Sequence, residues 1–204
     1  MPPPRPADPC TLLYIGAPVR RSEPLTLALV LLCFLATANM EWRGLDSYTA
    51  GAVCAPVFWH GSWTRALTAV FLHGGWLHLA LNALALWVLG QVIARGLGRG
   101  PMLFFLVGSA LAGLAASLLL LEPDIWRVGI SGGIAGLVGL ILAVEWAVAR
   151  TRRAFLASRN VRVILFLIVL NAGLAVATEL FWKGVKLDHA APVVGRLYGL
   201  VAGR

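Results

Sequence analysis

Six apolar runs, at about 25–40, 66–94, 101–121, 128–149, 161–182 and 187–203, constrain this chain more than any other feature. About 20 apolar residues cross a bilayer core as a helix, because a helix satisfies its own backbone polar groups where no water can. The expected fold is therefore all-α: a polytopic membrane protein with six transmembrane helices in a bundle. With 59% of 204 residues hydrophobic, 13% charged and a mean hydropathy of +0.82, the composition lies far from that of soluble domains. The net charge of +8 does not point to nucleic acid, because the basic residues are dispersed into short segments between apolar runs, where they set topology. Cys10, Cys33 and Cys54 are odd in number and lack CxxC spacing, so neither a disulfide framework nor a zinc site is indicated.

Residues 1–24, rich in Pro and Arg, read as a cytoplasmic N-terminal tail, and 25–204 as the six-helix membrane domain. Arg20 and Arg21 before the first run, with Ala36-Thr37-Ala38 near its end, also fit a cleaved signal peptide; a retained helix fits the topology better. With the N-terminus inside, Arg5, Arg20, Arg21, Arg95, Arg99, Arg150, Arg152, Arg153, Arg159, Arg162 and Arg204 fall in cytoplasmic segments. Arg43, Arg65, Arg127, Lys183 and Lys186 fall outside. That bias puts both termini in the cytoplasm. Residues 41–64, with Trp42, Trp59 and Trp63, read as an interfacial loop, and Trp76, Trp126 and Trp182 mark the same outer interface.

Polar residues inside the apolar runs are the candidates for chemistry. Ser131 opens the fourth run in Gly129-Ile130-Ser131-Gly132-Gly133, toward the outer leaflet. Glycines on both sides let a substrate backbone approach its hydroxyl, and free N–H groups at a helix start suit an oxyanion. The same residues also fit plain helix packing, since Gly132, Gly136 and Gly139 make a small-residue stripe. His73, His78 and Asn82 enter the second run; His78 and Asn82, four apart, share one helix face and could donate hydrogen bonds to a developing charge or to a neighbouring helix. No HExxH motif or nearby carboxylate supports a metal. His189 is the only histidine after Ser131, and the stripe Gly195, Gly199 and Gly203 on its helix could pack on the stripe of the fourth helix. That contact would make Ser131 and His189 a nucleophile and base pair.

Arg65 with Leu67-Thr68 and Phe71-Leu72-His73, then His73, His78 and Asn82 in HxxxxHxxxN spacing, then Gly129-Ile130-Ser131-Gly132 as GxSG, resemble the rhomboid intramembrane serine proteases over about 41–204. The short chain resembles their compact, rhombosortase-like branch. The resemblance implies peptide-bond hydrolysis in transmembrane protein substrates within the lipid bilayer, in a bacterial inner (plasma) membrane, without cofactor or metal. Ser131 would be the nucleophile, His189 the base, and His78, Asn82 and the Ser131 N–H the oxyanion hole, with His73, Gly129 and Gly132 in support. The last helix departs from the family pattern: Pro192 stands where the catalytic histidine is expected, with His189 one turn earlier, ~4.5 Å along the axis. That departure keeps open a rhomboid-like pseudoprotease that binds transmembrane clients without cutting them. A small transporter is a more distant alternative, since no motif repeats between the halves.

Overall fold

Proline and glycine set where the chain starts and stops being helical in the computed structural model, which describes residues 23–149 and 151–169. Helix α1 (Pro24–Arg43) begins with a proline in its first turn, which loses no hydrogen bond there, and ends at Gly44 with φ +81°. Three short helices follow: α2 (Leu45–Gly51), α3 (Ala55–Trp59) and α4 (Arg65–Phe71). Gly75, at φ +143°, opens α5 (Trp76–Gly96), and Gly98, at φ +100°, opens α6 (Arg99–Leu120). Then come α7 (Ser131–Val148), α8 (Arg152–Ala157) and α9, which is helical from 159 to 169.

Among the described residues, α1, α5, α6 and α7 are long and apolar enough to cross a membrane. Expected helix five is represented by α9 as far as 169; helix six, with His189 and Pro192, and residues 1–22 of the expected tail lie outside the described residues. The core is built from Leu86, Leu89 and Ile93 of α5, Met102 and Leu106 of α6, Leu137 and Ile141 of α7, and Ile164 of α9. Leu31, Leu35, Phe104, Leu119, Leu120 and Phe166 are exposed instead, as helices bathed in lipid require.

Lipid offers little hydrophobic drive for helix association, so close packing and polar contacts hold the helices together. Gly133 and Gly136 let α7 lie against the α6 backbone: an added Cβ would sit 2.5 Å from the Leu106 carbonyl oxygen at Gly133, and 2.9 Å from the Phe105 oxygen at Gly136. Gly136, expected to face the last helix with Gly132 and Gly139, therefore faces α6. Glu145 on α7 and Asn160 on α9, both buried, are joined by a hydrogen bond from the Asn160 amide. At the end where α1 begins, Glu23 pairs with Arg99 at 3.0 Å and its N–H donates to Gln91 Oε1 at 2.8 Å; Arg95 donates to the same oxygen. The Arg99 guanidinium, by hydrogen bond, holds the Glu23 carboxyl below the usual glutamate range.

Two expectations change. The stretch 41–64 is not a plain loop: α1 runs on to Arg43, and α2 and α3 give the rest local structure. The run 66–94, expected as one helix, is two helices broken at residues 72–75. Two consecutive glycines and a polar histidine favour a turn over continued helix there.

Candidate active site

Ser131 is the first residue of α7, and the chain reaches it by an irregular segment, 121–130, that runs back along the bundle. Because Gly133 and Gly136 meet Phe105, Leu106 and Ser109, α7 starts beside the middle of α6 and not at its end. Leu120 lies eleven residues beyond Ser109, ~17 Å at 1.5 Å per residue, so segment 121–130 must return over much of that distance. Ser131, expected toward the outer leaflet, is thereby set back from that end of α6.

Non-helical backbone at such a depth is tolerated only where protein satisfies its polar groups. Several such contacts hold this segment. Val53 and Arg127 form an antiparallel bridge, with N–H to O distances of 3.3 and 2.8 Å; the Ala55 N–H donates to the Pro123 oxygen at 3.0 Å, and the Gly129 N–H to the Ala69 oxygen at 2.8 Å. The Arg127 side chain, 2% exposed, donates to Ser117 Oγ, to the carbonyls of Ser117 and Glu122 at 3.0 Å each, and to that of Ile125. One guanidinium thus ties the end of α6 to the approach to Ser131, using a fork of donors that lysine lacks. The sequence reading counted Arg127 among the outer topology charges. A cation four residues before the serine was the available signal, but charge counting cannot separate a buried guanidinium from an interfacial one.

Gly129 joins the two halves of the site. Its φ of +115° is open to glycine, and a Cβ there would lie 3.1 Å from His78 Cε1, 3.3 Å from His78 Nε2 and 3.9 Å from Ser131 Oγ. The His78 ring and the Ser131 hydroxyl therefore border the same methyl-sized space. One turn along α5, Asn82 is 6% exposed, and its amide nitrogen has no hydrogen-bond partner among the described residues. Gly132 is buried in the first turn of α7.

His73 packs edge to face on His78, with ring centroids 5.1 Å apart. Its Nδ1 lies 3.2 Å from the Phe71 carbonyl, which can only accept, so Nδ1 carries the hydrogen; Thr37 Oγ1 of α1 is 3.4 Å from the same nitrogen. His73 thus leans on α1 through Thr37, a residue the sequence reading did not single out. Ser131, His78, His73 and Gly129 are brought together, and Asn82 follows one turn below His78. His189, the expected base, lies outside the described residues.

The family model of the Rhomboid domain matches residues 60–204, most of the chain. The chain belongs to the rhomboid family. It is 29% identical over 174 residues to rhomboid protease GluP of Bacillus subtilis (strain 168), covering 85% of this chain and 32% of that one. It is 27% identical over 201 residues to rhomboid protease GlpG of Serratia proteamaculans (strain 568), covering 92% and 64%. Against RHOMBOID-like protein 6, mitochondrial, of Arabidopsis thaliana, identity is 28% over 142 residues, covering 68% and 42%. This rhomboid spans about a third to two thirds of the length of these relatives. Its apolar helices make it an integral membrane protein.

Proposed function

We propose that this rhomboid is an intramembrane serine endopeptidase that cuts transmembrane protein substrates, with Ser131 as nucleophile and His189 as general base. The observation that carries the reading is the convergence of the Ser131 hydroxyl and the His78 ring, from different helices, on the space above Gly129. Ser131 Oγ would attack the scissile carbonyl carbon while its proton passes to His189. The resulting oxyanion would take hydrogen bonds from His78, the Asn82 amide and the Ser131 N–H. Collapse would break the C–N bond, the amine leaving with the proton from His189. Water, activated by the same histidine, would then hydrolyse the acyl-enzyme. Asn82 supports this role through its buried, unpartnered amide donor, which is costly unless something accepts from it.

A second reading is favoured by Pro192, which stands where the family resemblance expects the catalytic histidine. On that reading the protein binds transmembrane clients without cutting them. Cleavage of a reconstituted transmembrane substrate separates the two, with Ser131→Ala as the blank. The endopeptidase reading expects activity in the wild type, its loss in His189→Ala, and a fall of roughly 10²- to 10³-fold in Asn82→Ala. A wild type that matches the blank, together with a Pro192→His variant that gains activity, overturns the endopeptidase reading in favour of a pseudoprotease.

A further inference from the structure

The end of the bundle that holds the Glu23–Arg99 pair carries a second feature, unrelated to Ser131. Between Trp146 and Val169 the sequence has five arginines, Arg150, Arg152, Arg153, Arg159 and Arg162, and no acidic residue; Glu145, just before, is turned inward on Asn160. From Thr151 onward the connector has defined contacts. Thr151 caps α8 by accepting from the Ala154 N–H at 3.1 Å, and Phe155 packs edge to face on Trp146 with centroids 5.3 Å apart.

From there α9 puts Arg159, Arg162, Val163 and Phe166 around an open groove of about 340 Å³. Their spacing of three and four residues places them on one helix face, while Asn160 and Ile164 are buried on another. Along that face the order is two guanidinium groups, then an aliphatic and an aromatic side chain, with Phe166 65% exposed. Charge at the bilayer edge followed by apolar surface toward its centre is the order of groups in a phospholipid, phosphate first and acyl chain after.

We propose that this groove is a binding site for one anionic phospholipid of the leaflet at this end of the bundle, its phosphate held by Arg159 and Arg162 and its chain lying along Val163 and Phe166. Planar guanidinium forks suit phosphate oxygens, and each guanidinium has five donors, enough to meet a phosphate beside another partner. An uncharged lipid would fill the apolar half alone. A protein partner would require its own membrane-embedded surface to reach Phe166.

The test uses the full chain in detergent, titrated with phosphatidylglycerol or phosphatidylcholine and read by native mass spectrometry. We expect phosphatidylglycerol to be retained in preference to phosphatidylcholine. Arg159→Gln/Arg162→Gln should lower retention by roughly fivefold for each arginine removed. Phe166→Ala should weaken it too, and Arg162→Lys, which keeps the charge but loses the fork, should fall between. Arg152→Gln/Arg153→Gln removes equal charge outside the groove and should retain most of the binding. Equal retention of the two lipids overturns the site. So do equal losses from the two arginine pairs, which would mean general surface charge, and competition by glycerol phosphate as strong as by the lipid, which would mean a small-anion site.

Discussion

At Gly129, replacing one hydrogen by a methyl group would put a carbon 3.1 Å from the His78 ring on a backbone at φ +115°. Gly129→Ala should therefore displace either the ring or the serine. A shift of about 1 Å in a reacting geometry costs roughly 10²-fold in rate, so turnover on a transmembrane substrate should fall by about that much. Wild-type turnover in Gly129→Ala would remove the glycine from the site. Arg127 acts through backbone geometry. Removing its guanidinium takes one donor each from the Ile125 carbonyl, from the Ser117 carbonyl, which keeps the Leu121 N–H, and from the Glu122 carbonyl, which keeps the Ile125 N–H; a hydrogen bond to a charged group is worth about 1.5–3 kcal/mol. Arg127→Ala should lower the unfolding temperature in detergent, and Arg127→Lys should recover only part, because one ammonium group cannot reach all of them. An unchanged melting curve in Arg127→Ala would contradict the bracing role. Gly129 was legible in the sequence as part of GxSG. Arg127 was not, because its partners are carbonyls two to ten residues away, a fact of folding and not of residue type.

Among the elements, helix identity followed from apolar length, while depth and partnering did not. The runs at 25–40, 101–121 and 128–149 correspond to α1, α6 and α7 within a few residues. That α7 begins beside the middle of α6 follows from which glycines lack room for a side chain, and several glycines on α7 were equally good candidates. Gly136 is the sharpest case: a Cβ there would overlap Ser109 and come 2.9 Å from the Phe105 oxygen. Gly136→Val should therefore push α7 from α6, at about 1–3 kcal/mol for overpacking, read as a fall in thermal stability. Unaltered stability would mean that the two helices are not in this register. The short helices α2, α3 and α4 escaped the sequence reading because five to seven residues carry too little periodicity; α3 and α4 are tied to segment 121–130, and α2 to α4 through Arg65 and Thr68.

For the molecule as a whole, the arginine bias and the four apolar helices among the described residues agree on one arrangement. Glu23 at the start of α1 pairs with Arg99 at the start of α6, so α1 and α5 cross and return, and α6 and α7 repeat that path. Reporter fusions after Arg99 and after Arg153 should read as cytoplasmic and one after Glu122 as external; a cytoplasmic signal at Glu122 would contradict the topology. The apolar helices of the bundle were readable from run length, and the resemblance singled out Ser131, His78 and Asn82, whose catalytic roles belong to the proposed function. The proposed base was not fixed in this way, since Pro192 stands at the position where the resemblance expects the histidine and His189 lies one turn earlier. The central claim, that Ser131 is an activated nucleophile, is tested most directly by treating the purified protein with a fluorophosphonate and locating the adduct by peptide mass spectrometry. The account predicts an adduct on Ser131 that is strongly reduced in His189→Ala. A wild-type protein with a normal melting curve and no adduct at Ser131 would contradict it.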